Sequence, residues 1–195
     1  MMVLHEGVDT DYFVPDHTKI NGKLITFVST GLEPAKCFMQ FINIVCLVML
    51  QQPDVRVEIV GNDTVLYSMF DPAYPNVVSY KQSAIDLLTK CDLLNRVVFR
   101  GSITQDEVLD VYQRSDLHVH FTIVNPSWSL LEAMSCGCVV IASDSPILQE
   151  FTSDTSRCYV SDHDNYEATA NLILKILQTD QTAVRRNARQ FVINE

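Results

Sequence analysis

Residues 127–143, "SWSLLEAMSCGCVVIAS", read as a short helix passing through Gly137 into an apolar strand, with a single acid, Glu132, inside the helix. Two readings of that acid stand side by side: a carboxylate that holds a ligand, or the solvent-facing position of a packed helix. The choice turns on the edge of the sheet from which the helix starts, and so on the rest of the chain.

Outward from this stretch, apolar β-type runs alternate with amphipathic segments. "LITFVST" (24–30), helical "AKCFMQFINIVCLVMLQQ" and "VRVEIVG" (55–61) come first. "SAIDLLTKCDLL", "RVVFRG" (96–101), "TQDEVLDVYQRS" and "LHVHFT" (117–122) follow. After "CVVIAS" (138–143) stand "ILQEFTS", "RCYVS" and the helix "NYEATANLILKILQTD". Six such repeats predict an α/β fold: a single Rossmann-like, doubly wound parallel sheet of about six strands with helices on both faces. Thr104 followed by Glu107 predicts a capping box, and Gly137 a helix C-cap. Residues 62–83 lack periodicity, as a functional or flexible loop does; Tyr80 and Lys81 within it either flank a ligand or only order the loop. The closing "TAVRRNARQFVINE" is one more helix, the place where arginines cluster, and is expected to present a solvated face.

A chain of 195 residues with 47% hydrophobic content fits one domain with a substantial core. No apolar run reaches the roughly 18–20 residues that span a bilayer, and the first residues lack the pattern of a secretory signal. The expected location is cytoplasmic. Net charge of -10 argues against nucleic acid held on a broad basic face, so an anionic ligand must be held by a few cations or by helix N-termini. The six cysteines form no CxxC pair, and reduced, buried thiols are expected rather than a metal site. His118 and His120 alternate on one strand face, and without a third ligand nearby they read as packed, hydrogen-bonded histidines.

In a doubly wound sheet, ligands bind beyond the carboxyl ends of the strands, which singles out the loops after Thr30, Gly61, Gly101, Thr122 and Ser143. The loop after the first strand, "STGLEPAKC", holds neither GxGxxG nor GxxxxGK[ST], so neither a dinucleotide site nor a P-loop is expected there.

Read in order, "HEGVDTDYFVPD" (5–16), "GLEPAKCF" (31–38), "VEIVGND" with "SYKQ" (79–82), "VVFRGSI" (97–103) and "SWSLLEAMSCGCVVIAS" resemble one family. It is the C-terminal half of a GT-B glycosyltransferase of the large retaining family, glycosyl transferases group 1, that includes sucrose and glycogen synthases. The resemblance implies a nucleotide-sugar donor-binding domain over residues 1–195. Residues 1–23 would cross from an N-terminal acceptor domain absent from this sequence, residues 24–180 would form the core, and residues 181–195 a C-terminal helix.

By that resemblance, Glu132 accepts hydrogen bonds from the ribose hydroxyls, a task that suits an ionised carboxylate. The amides of Ser129, Leu130 and Leu131 at the helix start would meet the diphosphate. Lys36 would be the catalytic cation on the leaving group, and Gly31 stands where the family carries a second, arginine cation. Backbone groups of Arg100, Gly101, Ser102 and Ile103 would read the nucleobase. The family's sugar-binding acid would fall at Val124. Trp128 either packs against the donor or anchors its helix. No metal and no cofactor beyond the donor is implied. Two functions stay open: an enzyme that transfers a glycosyl group with an acceptor domain or partner chain, and a nucleotide-sugar binding module without turnover. The departures at Gly31, Cys37 and Val124 favour the second for the isolated chain.

Overall fold

A computed structural model of the protein describes residues 7–20, 22–63, 79–124 and 128–194. Six parallel strands run β1 (Lys23–Gly31), β2 (Val55–Asn62), β3 (Val97–Gly101), β4 (Leu117–His120), β5 (Val139–Ser143) and β6 (Tyr159–Ser161). They lie side by side in the order β3-β2-β1-β4-β5-β6. Chain direction across the sheet therefore reverses between β1 and β4, which opens a crevice at their carboxyl ends. The expected doubly wound α/β sheet is present.

Seven helices cover it: α1 (Phe38–Gln51), α2 (Tyr80–Lys90), α3 (Gln105–Arg114), α4 (Trp128–Ser135), α5 (Gln149–Thr152), α6 (Tyr166–Ile176) and α7 (Thr182–Asn194), counted among the described residues. Alternation along each strand sends side chains to two cores. Ile25, Phe27, Val57, Ile59, Leu117 and Val119 pack with α1, α2 and α6. Within that core, the Phe27 ring lies 5.6 Å from Phe38 and 4.8 Å from Phe41. Val140 and Ala142 join Tyr112, Leu130, Met134 and Val192 of α3, α4 and α7 on the other side.

Local boundaries have local causes. Thr104 and Glu107 form the expected capping box at α3, each side chain bonding the other's backbone N–H. Gly137, at φ 69, closes α4 as expected, its N–H reaching Met134 O and that of Cys138 reaching Ala133 O. The helix expected from residue 35 begins only at Phe38. Pro34–Lys36 form a 3-10 turn, and Cys37, left-handed at φ 49, separates that turn from α1. Of the aperiodic stretch, residues 64–78 lie outside the described residues, and Tyr80 already starts α2.

The arginine-bearing α7 departs from expectation. Instead of facing solvent, Arg185 and Arg189 are half-buried and donate to backbone carbonyls of α4, of the β4 and β5 approaches and of the initial segment. Arg185 bonds Gly137 O and Asp116 O at 3.0 Å each; Arg189 bonds Phe13 O at 3.1 Å and also Ser135 O. A positive group at the C-terminus of α4 also opposes the negative end of that helix's dipole. The initial segment is fastened to the same face: Phe13 is buried, Gln113 donates to Val14 O at 2.9 Å, and Lys19 pairs with Asp110 at 3.0 Å. No helix of the described residues is long and apolar enough to cross a membrane.

Candidate functional site

A cleft of about 360 Å³ lies where the fold predicts it, beyond the carboxyl ends of β1, β2 and β3 and against the first turns of α3 and α4. Its floor is Val28, Ser29 and Thr30 of β1 with Val60 and Gly61 of β2; its walls are Gly101, Ser102, Ile103, Gln105 and Val108 on one side and Trp128, Ser129 and Glu132 on another, with Lys36 at one end. Gly61 is required by close packing. Its φ is 149, and a Cβ there would meet Ser29 O at 2.7 Å, so any side chain would force β1 and β2 apart beneath the cleft. Gly101, at φ 68, makes the left-handed turn that swings residues 101–103 into the wall.

Glu132 lies at the cleft. Leu130, Ala133 and Met134 bury one side of α4, while Glu132 is half-buried on the side that borders the cleft. The Tyr112 hydroxyl, rising from α3 beneath, donates to Glu132 Oε2 at 3.2 Å. Burial pushes the Glu132 carboxyl up, and the bond from Tyr112 partly offsets that. Tyr112 has this hydroxyl fully buried, and burial followed by the nearby carboxylate drives it well above the usual phenol range. It therefore stays a neutral donor.

Ser129, buried at the start of α4, borders the cleft; its Oγ lies 3.2 Å from His120 Nδ1. Lys36 sits in the 3-10 turn rather than at a helix N-terminus, and only 8% of it is exposed. Burial lowers its ammonium, while Glu33 first and then Cys37 raise it. Glu33 is itself buried with Oε2 unpartnered, and burial raises its carboxyl against the opposing effect of Lys36. Buried next to each other, a cation and a carboxylate tune one another's protonation. Sequence reading did not single out Glu33; its position three residues before Lys36 in the same turn was the available signal.

Other expected residues fall differently. Gly31 is buried as the last residue of β1, paired with Asn62, and does not border the cleft. Leu130 and Leu131 keep their side chains on the core, so only their backbone near the start of α4 is in reach of the cleft. Arg100 turns away: its Nε meets Glu58 at 2.8 Å, and Arg114 grips the same carboxylate at 3.0 and 3.1 Å. Lys81 lies over the Phe99 ring and Tyr80 packs on the first core, so both order the start of α2. Trp128 is 56% exposed and borders the cleft, which excludes the reading of a buried helix anchor. Val124 is 46% exposed. The segment that carries it is tied to the Lys36 turn, because Ile123 N donates to Ala35 O at 3.1 Å.

His118 and His120 are buried, as packed strand histidines should be, with Nδ1 of His118 3.2 Å from Thr26 Oγ1. Burial pushes the His118 imidazole down to about 3. His120 is held well below the usual range by burial, then by His118 and Lys36. Both are neutral at ordinary pH. All six cysteines are free thiols, five of them buried. Among the described residues no group of His, Cys, Asp or Glu could hold a metal ion.

With the geometry in hand, comparison decides the family. The model for glycosyl transferases group 1 matches residues 10–191. The chain belongs to this family. Solved structures agree on the fold. The C-terminal domain of the glycosyl transferase group 1 protein LpcC from Francisella tularensis superposes with a TM-score of 0.79 at 22% identity, covering 97% of this chain and 98% of that one. Sucrose-phosphate synthase from Thermosynechococcus elongatus gives 0.78 at 22% identity over 96% of this chain and 46% of that one. Anabaena Alr3699/HepE, solved in complex with UDP-glucose, gives 0.79 at 22% identity over 99% and 52%. The chain thus spans about half the length of the latter two proteins. A search of curated protein sequences finds no match.

Proposed function

We propose that this chain binds a nucleoside diphosphate-sugar in the cleft and serves as the donor half of a glycosyltransferase, the acceptor being supplied by a separate domain or partner chain. One observation carries the reading: Lys36, Ser129 in the first turn of α4, and Glu132 border a single cleft at the switch point of the sheet. Glu132, ionised, would accept from the vicinal hydroxyls. The amides of Ser129, Leu130 and Leu131 and the helix dipole would meet the diphosphate, which lets a protein of net charge -10 hold an anion without a basic surface. The backbone of Gly101, Ser102 and Ile103 would border the base, and Trp128 the donor's open side. The UDP-glucose bound by the Anabaena protein supports this donor class.

In transfer, the bond from the anomeric carbon to the diphosphate oxygen breaks, the oxygen keeps the electron pair, and an acceptor hydroxyl takes the sugar while giving up its proton. Lys36 would neutralise the charge that develops on the departing diphosphate. It would do so without a second cation, since Gly31 offers none, and no metal enters this reading. The proposed working compartment is the cytoplasm, where nucleotide-sugars are made. A second reading, donor binding without turnover, is favoured by one feature: Val124 presents an exposed aliphatic side chain where the family has a sugar-binding acid.

Calorimetry with UDP, GDP and ADP tests the proposal. The preferred nucleotide is expected to bind with a measurable constant, lost by at least tenfold in Glu132→Ala and weakened several-fold in Lys36→Ala, each measured on protein shown to be folded. Absence of binding by all three nucleotides at millimolar concentration would overturn it.

A further inference from the structure

The arginines of α7 have no part in the cleft, and they surround a second hollow. Arg185, Arg186 and Arg189 line a groove of about 550 Å³ between α7 and the initial segment, with Pro15, Ile20 and Ile193 as its apolar lining. The groove shares no lining residue with the donor cleft and is the larger of the two. Among the described residues no Asp or Glu borders it, and none of the three guanidinium groups forms an ion pair. The carbonyl bonds that fasten Arg185 and Arg189 fix those side chains without cancelling their charge. Arg186 is exposed, and Ile193 is 48% exposed. Asp116 and Asp180 adjoin Arg185 from a separate hollow, where the N–H of Leu24 and the N–H and hydroxyl of Thr182 already bond their oxygens. In a chain of net charge -10, three cations without partner carboxylates thus meet at one groove.

We propose that this groove docks an acidic segment of a partner polypeptide, its carboxylates on the arginines and its aliphatic side chains against Pro15, Ile20 and Ile193. Charge complementarity gives the sign of the occupant, since cations gathered in a concave site focus their field on an anion. Size argues against a small anion: one phosphate would leave most of a groove larger than the donor cleft empty. Fixed guanidinium groups argue for carboxylates. A planar fork matches a carboxylate with two parallel bonds, and a side chain already held in place has less freedom to lose on binding. Shape argues against a lipid surface, which attracts projecting basic side chains, whereas Arg185 and Arg189 are half-buried in a hollow. The apolar lining adds a strip that alternate aliphatic residues of an extended chain can cover.

The experiment uses the full chain and a fluorescein-labelled peptide of alternating glutamate and leucine, followed by fluorescence anisotropy at low salt. Binding is expected with a dissociation constant on the order of 10 μM, weakening as salt is raised. Arg186→Glu, at an exposed position where substitution seldom disturbs folding, is expected to raise that constant by at least about tenfold. Ile193→Ser should raise it by about threefold. Arg56→Glu makes the same charge change at an exposed arginine of β2 outside the groove, and should leave the constant as it is. Absence of peptide binding, or equal losses in Arg56→Glu and Arg186→Glu, would overturn the proposal. So would full displacement of the peptide by equimolar inorganic pyrophosphate, which would make the groove a small-anion site. Tighter binding to vesicles of equal parts phosphatidylcholine and phosphatidylserine than to the peptide would overturn it in favour of a membrane. If Arg186→Glu fails to fold, Arg186→Ala, with an expected loss of about threefold, and Ile193→Ser still decide. Because groove and cleft share no residue, each of these failures leaves the donor reading as it stands.

Discussion

The two faces of β4 are built from different chemistry. Leu117 and Val119 enter the core under α1 and α6, where buried neighbours are almost all aliphatic or phenyl. His118 and His120, one residue along, enter the face under α3 and α4. There Thr26 and Ser129 are also buried, and Glu58 is held by Arg100 and Arg114. The first face contributes non-directional burial, worth about 2–3 kcal/mol for a large side chain. The second exchanges part of that for hydrogen bonds of fixed direction, each netting about 1 kcal/mol. The exchange occurs on the face from which α4 presents Ser129 and Glu132 to the cleft. One face thus holds the sheet together, and the other aims side chains.

The largest expected effect breaks the comparison on the apolar side. Phe41→Ala removes a fully buried ring that packs on Phe27, and is expected to lower unfolding free energy by about 3–5 kcal/mol in urea titration. Nucleotide affinity of the remaining folded protein should stay unchanged. A loss of affinity in that fraction would show that the two faces are not separable.

Much of this division is legible in sequence, and the part that is not has a physical reason. The alternation of apolar strands with amphipathic helices depends on local periodicity, so the doubly wound sheet, the capping box at Thr104 and the cap at Gly137 follow directly. The position of Glu132 at the cleft is legible because its helix opens at the carboxyl edge of the sheet. Arg185 and Arg189 are not: a helix bearing arginines looks the same whether they meet water or another helix's carbonyls, and only the docking of α7 on α4 decides. Cys37 hides the break before α1 because a left-handed cysteine leaves no compositional mark. Likewise the cleft excludes the Gly31 position and the Arg100 side chain through register and a distant carboxylate, Glu58, that no local pattern links to them.

A middle-sized effect sharpens the comparison at the opposite end of α4. Arg189→Ala strips donors from the carbonyls of Phe13 and Ser135 and is expected to cost about 1–3 kcal/mol of stability. Chemical denaturation and nucleotide calorimetry on the same sample separate the outcomes. Stability should fall while the dissociation constant holds, because Arg189 clamps the C-terminal end of α4 and the N-terminal end borders the cleft. Equal loss in both would mean that α7 controls the cleft.

The smallest effect concerns the bond beneath Glu132. Burial raises that carboxyl and the Tyr112 hydroxyl lowers it, so Tyr112→Phe moves it further up. In the proposed donor site the ribose hydroxyls would need the ionised form as acceptor, so affinity is expected to be full at neutral pH and to fall as pH drops through the raised value. In Tyr112→Phe that fall should begin at higher pH, while affinity at pH 8 changes less than threefold. Stability runs the other way on this group's account. A carboxyl raised above its unfolded value favours the folded state when protonated, and that contribution is lost as pH climbs from the ordinary range through the raised one. A titration in which the variant's affinity profile coincides with the wild type's would show that Tyr112 only fills space under α4. A shifted profile at unchanged neutral affinity is the signature of a hydrogen bond whose task is to keep the Glu132 carboxylate charged.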